Sequence, residues 1–277
     1  MSYTPLISVV TVSYQAELTI EKTIKSVCNQ SYQNIEYVFK DGESKDDTNT
    51  IIKRYRIELE NRGIETKHII GKDTGIYNAM NQALKYCKGD YILFLNADDT
   101  LYSNTILQEI FDGKVMQDEA DIIYGDTDFV DDSMHFLWKG DMSVLKDKCP
   151  FCHQSSFVKR SWMMKHLFDE TLRISADYDF IFKSYMDQAT FFYVEKIISQ
   201  FNRGGMSGVH LVENRKEHRK VQLRYNPDEG TYLRELLYKI KLINAFMQEK
   251  FFMYIPHSFC TKIRHFSKKR KMRVLTS

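Results

Sequence analysis

The sequence predicts an α/β fold with a parallel sheet in its first hundred residues. Short β-branched or apolar runs recur there, stretches of helical spacing separate them, and polar or acidic residues follow the runs. Strands alternating with helices read as βαβ units, whose crossovers make the sheet parallel. Ile7-Ser8-Val9-Val10-Thr11-Val12-Ser13 is a strand of the kind buried on both faces. Thr19 to Val27 places Ile20, Ile24 and Val27 on one helical face. Ile35 to Phe39 is the second strand, and Asp46 or Asp47 caps a helix running through Ile51, Ile52, Tyr55 and Leu59. Thr66 to Ile70 is the third strand, Ile76 to Tyr86 a helix with Gly89 marking its end, and Tyr91 to Leu95 the fourth strand.

Beyond residue 100 the pattern loosens into a mixed half. Asn104 to Phe111 reads as helix, Ile122 to Tyr124 as strand, and Asp126 to Trp138 as a strand pair around an acidic turn. Ser155 to Val158 and Phe191 to Val194 are further strands, with helices near Trp162–Leu167 and Tyr178–Met186. From Val209 the chain reads as helical and basic, with an apolar stripe through Leu233, Leu236, Leu237, Ile240 and Met247.

Composition excludes several classes. Of the 277 residues, 43% are hydrophobic, enough for a core and too many for a wholly disordered chain. With 12 Gly and 4 Pro, collagen-like and Pro-rich architectures are excluded. Charge is uneven: residues 1–200 carry 22 Lys+Arg against 31 Asp+Glu, and residues 201–277 carry 17 against 6. A basic tail on an acidic body predicts that the tail meets something anionic. The 5 cysteines are scattered, which is no disulfide framework and suits a reducing compartment. Cys149-Pro150-Phe151-Cys152 has the CxxC form, but without a second pair it reads as ordinary half-buried thiols. The N-terminus shows no signal-peptide pattern, and no apolar run approaches the ~18 residues of a membrane span. A cytoplasmic location is the expectation.

Ligands of open α/β sheets bind beyond the carboxyl ends of the strands. After strand one comes Ser13-Tyr14-Gln15-Ala16-Glu17, without the glycines of a dinucleotide fingerprint, and no P-loop is present. After strand two comes Lys40-Asp41-Gly42-Glu43-Ser44-Lys45-Asp46, and after strand four Asn96-Ala97-Asp98-Asp99. Taken singly, Asp41-Gly42 reads as a turn and Asp98-Asp99 as a helix cap. Together they line one sheet edge with hard oxygens, which suit Mg2+ or Mn2+ beside a diphosphate.

These pieces resemble the family 2 glycosyltransferases, which have the GT-A fold. The likeness rests on Val10 to Tyr14 with Glu17, Lys40 to Thr48, Asp73-Thr74-Gly75-Ile76-Tyr77-Asn78-Ala79-Met80-Asn81, and Gly89 to Asp99. It continues through His153-Gln154-Ser155-Ser156-Phe157, Ala176-Asp177-Tyr178-Asp179 and Gly204-Gly205-Met206-Ser207. The fold so implied is α/β: a Rossmann-like nucleotide-binding parallel sheet joined to a mixed acceptor-binding half, with a helical basic C-terminal tail. The implied boundaries are a catalytic domain over 1–208, divided into a nucleotide-binding half at 1–100 and an acceptor half at 101–208, and an extension over 209–277.

The resemblance implies an inverting transfer from a UDP-sugar to a hydroxyl of a glycan or lipid-linked saccharide, in bacterial cell-surface polysaccharide synthesis. Thr11 and Ser13 then approach the nucleoside, Glu17 helps hold base or ribose, and Asp41 accepts the uracil N3–H. Asp98 is the metal carboxylate for Mn2+ or Mg2+, with Asp99 supporting it. Asn96 stands where the first carboxylate of the metal motif is often found, and it can still bond ribose or a metal-bound water. Asp177 is the implied base, with Ala176 in place of the family's Glu and Asp179 as its competitor. As a bare sequence feature Asp177 is also a helix cap. Lys72 and Arg203 are candidates for the diphosphate, and His153 for the acceptor side. A sugar-nucleotide pyrophosphorylase is disfavoured, because its glycine-rich first loop is missing after Val12. A silent nucleotide-sugar-binding protein is the non-enzymatic alternative, and intact Asp41, Asp98 and Asp177 argue against it. Lys262, Arg264, Lys268, Lys269, Arg270, Lys271 and Arg273, beside the apolar stripe, suit the anionic inner face of a membrane better than nucleic acid.

Overall fold

The computed structural model describes residues 4–111, 120–131, 134–202, 210–227 and 232–254. The chain divides into two compact units, Met1–Gly205 and Met206–Ser277.

The first unit opens with β1 (Ile7–Ser13), α1 (Ile20–Cys28), β2 (Ile35–Asp41), α2 (Thr48–Asn61), β3 (Glu65–Ile70), α3 (Ile76–Leu84) and β4 (Tyr91–Phe94). The strands lie in the order β3-β2-β1-β4, all parallel. Every position of β1 and β2 is buried, so their polar side chains need partners inside the sheet layers. Thr11 Oγ1 donates to Leu95 O at 2.7 Å, and Glu36 accepts from the backbone N–H of Gly89 at 2.9 Å. Gly89 lies beyond the end of α3 and serves a close approach: a Cβ there would sit 2.6 Å from Ser8 N and 2.7 Å from Leu6 O. At the start of α2, Asp47 holds the cap position, but it is Asp46 Oδ1 that takes the Thr48 N–H, at 3.2 Å.

The same unit continues with β5 (Thr100–Leu101), α4 (Ile106–Phe111), β6 (Ile122–Asp131), β7 (Met134–Trp138), β8 (Ser156–Lys159), α5 (Arg160–Lys165), α6 (Ala176–Met186) and β9 (Phe191–Asn202). Short 3-10 turns occupy Met142–Val144 and His153–Ser155. Antiparallel β8 carries the sheet from β4 onward as β4-β8-β6-β9-β5, with β7 paired to β6. Two expectations are corrected here. Ile122–Tyr124 and the first arm of the strand pair are one strand, and the strand begun at Phe191 reaches Asn202. Gly125 separates the two readings, and polar residues follow it. Asp126, Thr127 and Asp128 are instead buried in the sheet, where Tyr193 OH donates to Asp126 Oδ1 at 2.8 Å and Gln200 Nε2 to Asp128 Oδ2 at 2.9 Å. β5, which sequence reasoning missed, is two residues set against Ser199 and Gln200 of β9. Phe111 joins the halves, its ring centroid 5.9 Å from Tyr32, 5.8 Å from Tyr91 and 4.9 Å from Phe157.

The second unit contains α7 (Leu211–Tyr225) and α8 (Tyr232–Tyr254). Arg219 of α7 is buried, pairs with Glu235 of α8 and lies 5.7 Å from the Tyr238 ring centroid. Leu236, Leu237, Ile240, Ile243, Phe246 and Met247 are exposed along α8. The basic residues from Lys262 to Arg273 lie outside the described residues.

Candidate active site

Parallel register brings Ser13, Asp41 and Ile70 side by side at the carboxyl edge of the sheet. Asp41 is fully buried there. Its Oδ2 accepts from Ser13 Oγ at 2.9 Å and Ser44 Oγ at 2.7 Å, and its Oδ1 from Ser44 N at 2.7 Å and Asn49 Nδ2 at 2.9 Å. A carboxylate offers about four lone-pair sites, and these four donors fill them, so any further donor would have to displace one.

Lys40 is a second buried charge, and sequence reasoning missed it. Its Nζ donates to Gly71 O at 2.6 Å, Asp41 O at 3.0 Å and Asp73 Oδ2 at 3.2 Å, so it ties the loop after β3 to β2. Gly42 leaves room for this contact, since a Cβ would lie 2.9 Å from Asp73 Oδ2 and 3.2 Å from the Tyr14 ring and would push the two side chains aside. Tyr14, 66% exposed, stands at this edge as an open aromatic face. Lys40 and Tyr14 both stand in the segments that carry the family resemblance, but no role is drawn for either from the sequence.

Other expected nucleotide residues fall differently. Thr11 is fully buried, its hydroxyl held by Leu95 O and by Tyr37 OH at 2.8 Å, which puts it behind the edge rather than on it. Glu17 is exposed and accepts from Asp47 N at 2.9 Å, so it fastens the start of α2. Lys72 is exposed in the loop after β3. Arg203, with Gly204 to Ser207, lies outside the described residues.

The loop after β4 carries Asn96, Asp98 and Asp99. Asn202 of β9 donates to Asp98 O at 2.6 Å. Asp99 is fully buried and accepts from Gln154 Nε2 at 2.9 Å. Burial raises Asp98 above the usual carboxylate range, and burial together with the Asp98 charge raises Asp99 well above it.

This loop meets the acceptor half through one imidazole. Asn96 Nδ2 lies 3.2 Å from His153 Nε2, and His153 Nδ1 lies 3.1 Å from Asp177 Oδ2. Asp177 Oδ1 accepts from Tyr178 N at 2.8 Å and from Tyr77 OH at 3.2 Å. Tyr77 OH also lies 2.7 Å from Ile174 O, and burial with the Asp177 charge pushes its phenol well above the ordinary range. Phe94, Phe151, Phe168 and Phe180 wall the pocket that His153 and Asp177 enter. The cap reading of Asp177 is corrected: Ser175 is the N-cap of α6 and Asp177 sits in the first turn, where a negative charge suits the helix dipole. Asp179 is 3% exposed, and residues two apart on a helix do not share a face, so Asp179 does not share the Asp177 position. Cys149 and Cys152 are buried rather than half-buried. Burial first, then the Asp177 charge, raises both thiols well above the ordinary range, which keeps them protonated and unreactive.

Among the described residues no group of three or more His, Cys, Asp or Glu could hold a metal ion. The loop that carries Asp98 also carries Asn96 Oδ1 and Asp99 Oδ1, which like Gln154 Oε1 are buried oxygens without a hydrogen-bond partner among the described residues. Carboxylate and amide oxygens fit Mg2+ or Mn2+, which take most of their ligands from phosphate and water, and do not fit zinc.

A parallel sheet whose carboxyl edge faces a mixed half, with acidic residues at the junction, is the arrangement of a GT-A glycosyltransferase. The family model described as Glycosyl transferase family 2 matches residues 8–186, and the chain belongs to that family. A relative is the PGL/p-HBAD biosynthesis glycosyltransferase of Mycobacterium bovis, 29% identical over 210 residues, which span 73% of this chain and 79% of the relative. Two solved structures share the fold. TarS 1-349 of S. aureus in complex with UDP superposes with a TM-score of 0.62 at 17% identity, over 87% of this chain and 70% of that one. The mannosyltransferase PcManGT of Pyrobaculum calidifontis, in complex with GDP-Man and Mn2+, gives 0.66 at 14% identity, over 99% and 84%.

Proposed function

We propose that this glycosyltransferase inverts configuration, moving a sugar from a UDP-sugar to a hydroxyl of a glycan or lipid-linked saccharide during cell-surface polysaccharide assembly. The observation that carries the reading is the placement of Asp177, hydrogen-bonded to His153 and thereby joined to the loop after β4. The acceptor oxygen attacks the anomeric carbon, the bond from that carbon to the diphosphate oxygen breaks, Asp177 takes the hydroxyl proton, and UDP leaves with the bonding pair. Ser13 and the Asp41–Ser44 turn face the nucleoside, with Tyr14 as a flat apolar surface for the base. Asp98 would hold the cation, and a bound Mn2+ or Mg2+ supplies neutralisation of the diphosphate. A UDP donor is favoured over a GDP donor because a solved neighbour of this fold binds UDP and another form of it UDP-GlcNAc, although PcManGT binds GDP-Man.

A screen of nucleotide sugars against the purified protein tests this. With Mn2+ present we expect slow UDP release from one UDP-sugar, abolished by EDTA and restored by adding back Mn2+. Binding without release supports the silent protein, and release of GDP alone rejects the UDP assignment.

We also propose that the second unit seats the enzyme on the inner face of the cell membrane. Among the described residues no helix is long and apolar enough to cross a bilayer, so contact would be peripheral. Exposed Leu237, Ile240 and Met247 on α8, together with the basic residues further on, fit an anionic surface. The protein should float with anionic liposomes at low salt, and removing residues 258–277 or raising salt should weaken this. Indifference of the full chain to anionic vesicles at low salt defeats the idea.

A further inference from the structure

We infer that His153 is a positioning residue for Asp177, and that the Asn96 amide selects its tautomer. The inference rests on the assignment of Asp177 as base.

Both ring nitrogens are engaged within the chain, Nδ1 with Asp177 Oδ2 at 3.1 Å and Nε2 with Asn96 Nδ2 at 3.2 Å. An ionised carboxylate only accepts, so Nδ1 must carry the proton in that contact. In a neutral imidazole the other nitrogen is then an acceptor and needs a donor. Asn96 provides that donor through its amide nitrogen, and its Oδ1 remains as a buried oxygen without a hydrogen-bond partner among the described residues.

This accounts for the residue type at 96. A carboxylate there has no hydrogen to give to Nε2. It would draw the imidazole proton to Nε2 and leave the Nδ1 lone pair facing the Asp177 carboxylate, or else require a second proton on the ring. Asn96 and His153 therefore form one unit. The departure from the family's acidic pattern is what lets a neutral His153 donate to Asp177.

The surroundings keep the ring in place. Ser156 Oγ donates to His153 O at 2.9 Å, fixing the 3-10 turn, and the side chain of His153 is only 15% exposed. Tyr178 N and Tyr77 OH fix the other oxygen of Asp177, so its carboxylate is oriented from both ends. Because Nε2 is turned to Asn96, His153 does not face the acceptor as a base. It acts through Asp177, and it links the loop that carries Asp98 to the proton acceptor. A substitution at either Asn96 or His153 should therefore lower kcat more than it raises the donor KM.

The test uses the full chain, the UDP-sugar identified by the screen, and 15N imidazole NMR at neutral pH. His153→Ala should lower kcat by about tenfold or more, the scale of losing a partner that orients a reacting group. His153→Asn keeps an N–H near the position of Nδ1 and should recover most of the loss. Asn96→Asp should lower kcat comparably and move the imidazole proton off the Nδ1-only pattern of the native protein. The inference is overturned if His153→Asn is as slow as His153→Ala, if Asn96→Asp turns over normally, or if the native ring carries its proton on Nε2 alone. Normal turnover in Asp177→Asn instead rejects the base assignment, and the NMR pattern reads the tautomer without any activity.

Discussion

Asp177→Asn should lower turnover by roughly 100-fold or more while leaving UDP affinity within about threefold of the native protein, the pattern expected for a lost general base. The amide keeps the size and shape of the carboxylate, so the first turn of α6 and the apolar wall around it are undisturbed. Tyr178 N and Tyr77 OH still find an oxygen at the Oδ1 position. What disappears is the ability to accept the acceptor's proton. The N–H groups of the new amide also meet His153 Nδ1, which must then shed its hydrogen or turn away. The proposed function puts UDP at the other side of the junction, on the β1–β2 edge and the loop after β4, so calorimetric titration with UDP should change little. Near-native turnover would remove Asp177 from the base role. A fall in UDP affinity matching the fall in turnover would instead place Asp177 in nucleotide binding.

The parallel half was legible because its strands are apolar and its helices keep their period, so β1 to β4 and α1 to α3 fall close to where the pattern puts them. The mixed half was harder for a physical reason. β6 buries Asp126, Thr127 and Asp128, and a strand with buried polar groups carries no hydrophobic signal. Its stability comes from partners such as Tyr193 and Gln200, which are far away in sequence. The site divides in the same way. Asp41, Asp98 and Asp177 stand in local motifs that single them out as candidates. Tyr77 meets Asp177 across 100 positions and Lys40 meets Asp73 across 33, contacts that only the folded sheet creates. Thr11 and Glu17, to which the resemblance gives nucleotide roles, have hydrogen bonds within the fold that no local pattern shows, to Leu95, Tyr37 and the start of α2.

Asp41→Asn should destabilise the protein before any nucleotide is added, which separates a structural carboxylate from one that only reads a base. Four hydrogen bonds converge on Asp41, from Ser13 Oγ, Ser44 N, Ser44 Oγ and Asn49 Nδ2, at a site with no solvent exposure. An asparagine offers one acceptor oxygen and points two N–H bonds at the donors that remain. The Ser13 and Ser44 hydroxyls can rotate and become acceptors. With its amide oxygen at the Oδ1 position, an asparagine still accepts from Ser44 N and Asn49 Nδ2, because that oxygen has two lone pairs, and Asn49 keeps its 2.9 Å contact with His68. What all four contacts lose is the assistance of a full negative charge. Losing charge-assisted bonds in a buried setting costs about 1.5–3 kcal/mol, which for a catalytic unit of this size is about 4–10 °C in Tm. Thermal melts of Asp41→Asn without nucleotide should show that drop, and UDP affinity should fall with it because the Ser44 turn loses its charged anchor. A variant that melts at the native temperature yet no longer binds UDP would show that the donors around Asp41 are dispensable and that base recognition is its sole work.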